Sequence, residues 1–320
     1  MKKMNLRFSH IYVEKRVKND DYVKDILAKF KEAEIIEINH YKDRFNPYYQ
    51  SFRAQKNAQA LILAKKEAPF IYEASELIQK QDKNFFYTTP MLNCIYDCHY
   101  CFLQGMYPSS NLVLFVNFDD FFDEAQRVYK NLGSMFLSIS YDTDILAVEN
   151  LFGVAKRWAY FVKDKNIKLE LRTKAVNVDF EYQKNLFFAF SLSPEIVIKK
   201  YEKFTPSLEA RIRAVKKVIN KGFKPVIVFD PIIKVANFKK VYEDFIKKVF
   251  SEIDYKDIES IVYGSFRMNS TQFKIIKKEL LSDIYYYPYS VKNGIVEYED
   301  KKEVIEFIEN LLPDVKKFKV

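Results

Sequence analysis

Glycine is scarce, with six in 320 residues, where average usage gives roughly 22. No two stand close together, which excludes a Walker loop and a GxGxxG dinucleotide fingerprint. Cysteine numbers three, an odd count that excludes a closed disulfide framework. No apolar run approaches the ~18 residues of a membrane-spanning helix, so no membrane association is expected. The opening stretch from Met1 to Arg16 is basic but holds no apolar segment, so no secretory leader is expected and the default location is the cytoplasm.

What remains is an ordinary globular composition, 48% hydrophobic and 30% charged, long enough for one large domain or two modest ones. Net charge is +9, which permits a polyanionic partner such as nucleic acid. The charge is spread in short clusters such as Lys199-Lys200 and Lys216-Lys217, and on charge alone a solvated lysine surface is the favoured reading. The 29 Phe and 23 Tyr accompany abundant Lys, Ile and Asn. That is the signature of base-composition bias, so aromatics in general carry little functional weight.

The cysteines are the exception. Cys94, Cys98 and Cys101 fall within eight residues, close enough for three thiols on one loop to converge on a metal centre. Structural zinc needs four closed ligands; His99 adjoins Cys98 too tightly to share an ion with it, which leaves His10 or His40 as the fourth. A [4Fe–4S] cluster usually takes four thiolates, and with three one iron stays open for a substrate or cofactor.

Around this motif, apolar runs alternate with amphipathic helical stretches. Strands are expected at 85–89, 135–139, 167–172, 186–192, 225–229 and 260–263. Helices are expected at 118–131, 144–162, 207–220, 238–253 and 271–281. Six strand–helix units in that order indicate a mainly parallel sheet. Residues 1–80 read as a separate small α/β block, with strands at 9–13 and 34–38, a helix at 21–32 and a basic helix around 50–66. Residues 81–280 form the main unit, and 281–320 a C-terminal strand or hairpin with a helix.

The string Cys94-Ile95-Tyr96-Asp97-Cys98-His99-Tyr100-Cys101-Phe102-Leu103-Gln104 resembles the cluster motif of radical S-adenosylmethionine (SAM) enzymes, in the version found in the spore photoproduct lyase family. The likeness extends to Ile11-Tyr12-Val13-Glu14-Lys15-Arg16, to Val116-Asn117-Phe118-Asp119, and to the stretch Glu202, Thr205, Arg211, Ile212. It covers about residues 8–275 and loosens beyond. The resemblance implies an α/β fold with a partial (β/α)6 barrel of radical-SAM type. It implies a [4Fe–4S] cluster on Cys94, Cys98 and Cys101, and SAM bound at the open iron. It also implies DNA carrying a damaged pyrimidine as partner and a reductant such as flavodoxin or ferredoxin. Barrel enzymes carry their chemistry at the C-terminal strand ends. There Tyr100, Thr143, Lys174, Ser191 and Asp230 are the expected SAM-pocket residues. Taken without the resemblance, each also reads as a helix-capping hydroxyl or a surface charge.

In that family a 5′-deoxyadenosyl radical takes hydrogen from a methyl-bridged thymine dimer, and a cysteine after the second barrel strand quenches the product radical, supported by two tyrosines flanking the third cluster cysteine. Here Tyr141 holds the cysteine's place; Tyr100 is kept, and the second tyrosine is Phe102. Tyr141 and Tyr100 are therefore the candidate hydrogen donors, since a phenol O–H forms a stabilised radical and a phenyl ring has none to give. Three readings stay open: a lyase on damaged DNA, a radical SAM enzyme of the same family with another substrate, and a non-catalytic nucleic-acid-binding protein with a structural metal. The run Tyr285-Tyr286-Tyr287-Pro288-Tyr289 before Lys292-Asn293-Gly294 reads either as a stacking wedge or as a C-terminal strand.

Overall fold

The computed structural model describes residues 6–48, 50–74 and 84–320. Its largest sheet has eight strands, and the inner six are the expected barrel strands in chain order: Phe85–Thr88, Met135–Ser138, Ile167–Thr173, Leu186–Ser191, Val226–Ile232 and Ser260–Ser265. Every neighbouring pair among the six is parallel. At the edges, Ile71–Glu73 adds antiparallel to the first strand and Lys317–Lys319 parallel to the sixth. Alternation separates the two faces. Leu137, Leu169, Leu171, Phe188, Phe190, Ile227 and Ile261 are fully buried against the helices, whereas Ala189, Val228 and Val262 form a separate small cluster on the other, inner face.

The helices follow sequence logic. Leu208–Asn220 begins at Ser207, whose Oγ accepts the Ala210 N–H at 3.3 Å. It buries Leu208, Ile212, Val215 and Val218, each worth about 1.5–3 kcal/mol relative to exposure. The expected helix 144–162 is broken. A 3-10 turn at Ile145–Ala147 and a short helix Glu149–Phe152 end at Gly153, at φ 66°, before Val154–Val162 resumes. The helix expected at 21–32 is shorter, Asp21–Leu27.

A second sheet has the order Glu34–Ile38, His10–Glu14, Leu61–Ala64, Leu112–Phe115, Met91–Leu92. It corrects the expected helix over 50–66. The helix spans Phe52–Asn57, and Leu61-Ile62-Leu63-Ala64 is the central strand, fully buried at every position. An apolar run with no polar face cannot sit on a surface helix, but it suits a strand covered on both sides. This sheet is not closed within residues 1–80, because it recruits strands on both sides of the cysteine loop. The family-like segments tie it together. The buried Glu14 carboxylate accepts the N–H groups of Tyr41 and Lys65 at 2.6 and 3.0 Å. Asn117 exchanges hydrogen bonds with the Lys66 backbone at 2.9 and 3.0 Å.

A hairpin, Tyr289–Lys292 and Ile295–Tyr298, pairs with Arg267–Asn269. Its turn residues Asn293 and Gly294 have φ 49° and 76°, the left-handed pair that a two-residue hairpin loop requires. Tyr285 and Tyr298 are buried and Tyr289 stacks on Tyr298, while Tyr286 is 63% exposed. Most of the tyrosine run is therefore packing.

Candidate active site

The cysteine loop leaves the end of the first barrel strand and is held from three sides. Asp97–Cys98 pairs antiparallel with Glu202–Lys203. From the N-terminal helix, Arg53 grips both Asp97 oxygens at 2.9 and 2.8 Å and Gln104 Oε1 at 2.6 Å. One turn on, the buried Lys56 ammonium donates to the Cys94 carbonyl, joined there by Gln59 at 3.2 Å. On the third side, Tyr285 donates to the His99 carbonyl and Ser282 hydrogen-bonds His99 Nδ1 at 2.9 Å. Just after the loop, Gly105 lets the helix Ser270–Glu279 pack closely, since a Cβ there would stand 2.7 Å from the Gln272 carbonyl oxygen.

The ends of strands two, three and four meet the loop. Asp144 takes hydrogen bonds from Thr173 Oγ1 at 2.7 Å and the Lys174 N–H at 2.6 Å, locking the turn that carries Thr143 to the turn that carries Lys174. The Cys94 sulfur accepts the Tyr96 N–H at 3.4 Å and also faces the Asp144 backbone N–H. The Lys174 ammonium lies 5.6 Å over the Tyr100 ring. Burial disfavours its charge, but Cys98 and Glu202 outweigh that and its pKa is raised. Ser191 is buried, and its carbonyl accepts Arg211 Nη1 at 3.0 Å.

Beneath these lies a buried ion pair. Arg211 and Glu202 are fully enclosed and hydrogen-bonded, and Arg211 also reaches Thr205 Oγ1 at 2.7 Å. Glu202 further accepts Ser193 Oγ at 2.8 Å and the Tyr100 phenol. Burial pushes the Glu202 pKa up, yet Arg211 and Lys174 together hold it at about 2. The Glu, Thr and Arg of the family-like segment are thus one hydrogen-bonded unit, which spacing alone did not reveal.

Tyr141 packs between Phe102, 5.8 Å away between ring centroids, and Tyr87, 4.6 Å away. Tyr100 sits apart from this pair, its O–H committed to Glu202. Asp230, at the end of strand five, is engaged by Arg267 at 2.7 and 3.3 Å, with Arg172 4.0 Å away. Its carboxylate is thus paired with guanidinium groups from two strands. Lys56, Arg53, Arg172 and Arg267 escaped the sequence reading, because no local pattern distinguishes them from other basic residues.

The donor set fits an iron–sulfur cluster better than a single ion. Burial raises all three thiol pKa values, Cys94 to about 11. Two lysines offset the thiolate charge that a cluster would impose: Lys56 feels all three cysteines and Lys174 feels Cys98. The thiolates of a cluster bind separate irons, and structural zinc needs a fourth closed ligand beside the three cysteines. Of the histidines, His10 pairs with Glu34 at 3.3 Å, and His40 caps the turn Tyr41–Asp43.

A six-strand parallel sheet with three clustered cysteines after its first strand and a lysine after its third defines a partial barrel of the radical SAM class. Within that class the chain belongs to the spore photoproduct lyase family, whose model, Spore photoproduct lyase, matches residues 8–302. It is similar to the spore photoproduct lyase of Clostridium acetobutylicum, 27% identical over 203 residues, which are 60% of each chain. It is also similar to that of Bacillus subtilis, 25% identical over 75% of this chain and 72% of the other. The chain spans 60% and 54% of the length of the Clostridium acetobutylicum and Geobacillus relatives it matches. Among solved structures, a spore photoproduct lyase complexed with dinucleoside spore photoproduct superposes with a TM-score of 0.84 at 19% identity, covering 98% of this chain and 99% of that one. A mutant lyase with bound AdoMet and dinucleoside spore photoproduct gives 0.82 at 19% identity over 97% and 98%.

Proposed function

We propose that this chain is a radical SAM lyase acting on a methyl-bridged thymine dimer in DNA. One observation carries the reading: beside the cysteine loop the Lys174 ammonium lies over the Tyr100 ring and feels Cys98, while Asp144, next to Thr143, bonds the Thr173-Lys174 turn and its N–H faces the Cys94 sulfur. Cys94, Cys98 and Cys101 hold the cluster. The Lys174 ammonium binds the SAM carboxylate through a charge-assisted hydrogen bond, and Thr143 and Ser191 orient the amino-acid moiety. When bound, cluster and SAM together supply a 5′-deoxyadenosyl radical that abstracts a hydrogen atom from substrate. Glu202 and Arg211 keep the floor rigid, so Lys174 faces a fixed negative charge in addition to its ligand. A dimer in duplex DNA leaves the helical stack to reach such a pocket, and Arg172 and Arg267 on the inner face offer charge for its phosphate. Tyr141 then returns a hydrogen atom to the product radical. A reductant of the flavodoxin or ferredoxin class would supply the electron that a bound cluster needs.

The loss of the family thiol and of one tyrosine favours a second reading, a radical SAM enzyme of the same family acting on a different substrate. Anaerobic reconstitution, followed by chromatography after incubation with the methyl-bridged dithymidine dinucleotide, separates them. Thymine release supports the lyase. Formation of 5′-deoxyadenosine without thymine transfers the assignment to another substrate.

A further inference from the structure

Three tyrosines line the inner face of the sheet in series. Tyr141 follows strand two; Tyr87 lies on strand one; Tyr72 lies on the antiparallel edge strand, directly opposite Tyr87 in register. Tyr141 and Tyr87 rings are 4.6 Å apart at 31°, and Tyr87 and Tyr72 rings are 5.1 Å apart at 19°. The Tyr72–Tyr87 pair is stacked and the Tyr87–Tyr141 pair is tilted, and both lie within the range of direct aromatic interaction. At the outer end the Tyr72 hydroxyl accepts from Lys66 Nζ at 2.8 Å and donates to the Pro69 carbonyl at 2.9 Å. At the inner end the neighbour of Tyr141 is Phe102, which has no O–H to continue a path toward the cysteine loop. Asp142 stands beside the series. Its charge acts on all three phenols, and its Oδ1 is buried without a hydrogen-bond partner. All three phenols are shifted up, chiefly by burial, so each stays protonated at neutral pH and has a hydrogen to give.

We propose that Tyr72, Tyr87 and Tyr141 form an outward relay through which an external one-electron reductant restores the hydrogen donor after each turnover. The inference rests on the reading that Tyr141 quenches the product radical. In that step the Tyr141 O–H bond breaks, a C–H bond forms on the product, and a neutral tyrosyl radical remains. Tyr87 then supplies one electron and the proton lost with it reaches the Tyr141 oxygen, which restores Tyr141 and leaves the radical on Tyr87. The same exchange moves it to Tyr72. At Tyr72 a reductant of the flavodoxin or ferredoxin class delivers one electron, and solvent delivers one proton. No hydrogen atom returns to 5′-deoxyadenosine by this route, so each product consumes one SAM and one electron beyond the electron that starts the reaction.

The test uses the reconstituted holoenzyme with SAM, the methyl-bridged dithymidine dinucleotide and reduced flavodoxin. It measures product per enzyme with time, 5′-deoxyadenosine per product, and the electron paramagnetic resonance spectrum of freeze-quenched samples. The native chain is expected to form one 5′-deoxyadenosine per product and to turn over repeatedly. Tyr87→Phe and Tyr72→Phe keep the rings but lose the O–H. They are expected to complete the first turnover at the native rate and then to slow at least tenfold. A tyrosyl signal should accumulate in both, and it should vanish when Tyr141→Phe is added. Steady turnover of Tyr87→Phe without that signal, or far less than one 5′-deoxyadenosine per product in the native chain, overturns the relay. So does a weaker dinucleotide affinity in Tyr87→Phe with unchanged stoichiometry and no signal, because that is the mark of a stacking platform. Absence of thymine from the native chain in its first turnover overturns the substrate reading, and the relay with it.

Discussion

Tyr141 and Phe102 face each other across 5.8 Å between ring centroids. These are the two positions at which the chain departs from the donor thiol and tyrosine pair of the family it belongs to, and the departures are in contact. The substitution of one therefore changes the surroundings of the other. Tyr141→Cys is expected to raise clean thymine formation from the methyl-bridged dimer, and Tyr141→Phe to lower it by an order of magnitude or more, since a donor acts at near contact. Chromatography of the digested product reads both. No thymine from either the native chain or Tyr141→Cys removes the lyase assignment.

Lys174→Ala should weaken SAM binding by roughly 1.5–3 kcal/mol, the worth of a hydrogen bond to a charged group. Calorimetric titration of the reconstituted protein checks it. Unchanged affinity would place the SAM carboxylate elsewhere.

The Glu202–Arg211 pair predicts a pH dependence with a definite sign. The Glu202 pKa falls from its usual 4.5 to about 2 in the folded chain. Its contribution is therefore complete above about pH 4.5 and is lost as pH falls toward 2. Glu202→Gln leaves the Arg211 charge buried and unpaired, at a cost of about 3–5 kcal/mol near neutral pH. Urea denaturation at pH 7 and pH 3 should show the gap between native and variant narrowing at the lower pH.

Lys56 is buried against the cysteine loop, where burial lowers its pKa and the negative charge of Cys94, Asp97, Cys101 and Cys98 favours its ammonium form. Lys56→Met should shift the cluster midpoint potential negative, because the reduced cluster carries more negative charge and loses its counter-charge. It should also speed iron loss several-fold. Redox titration and iron analysis measure the two effects, with Cys98→Ala as the variant expected to hold no cluster.

DNA affinity should fall steeply with salt, since each neutralised phosphate releases counterions. Arg172→Ala should flatten the slope of log K against log salt by about 1 if its guanidinium meets a phosphate. A slope identical to that of the native chain would move the phosphate contact to other side chains.

The barrel was legible because its strands are short apolar or alternating runs, and an amphipathic helix follows all of them except Ile167–Thr173, which leads straight to Leu186–Ser191. Leu186–Ser191 with Leu208–Asn220, and Val226–Ile232 with Phe238–Glu252, are examples. Cys94, Cys98 and Cys101 were legible because their clustering is improbable by chance. Leu61–Ala64 was misread because leucine and alanine favour helices locally, and full burial on both faces overrode that preference. Arg53 and Lys56 were invisible because their partners, Asp97 and Cys94, lie 44 and 38 residues away. The tyrosine series spans an edge strand, a barrel strand and a loop, and discounting aromatics as compositional bias hid it further.

The second sheet takes Met91–Leu92 from just before the cysteine loop and Leu112–Phe115 from just after it. Both ends of the loop are thereby fastened to a scaffold separate from the sheet that supplies Thr143, Lys174 and Ser191. The distance from the thiols to those side chains is then a joint property of two sheets that share one core. A cavity-forming change at Leu63 or Val113, remote from any reacting atom, would be felt at the pocket as a shift of the cluster relative to SAM, and the two sheets must dock before the loop acquires the shape that iron and sulfide can fill.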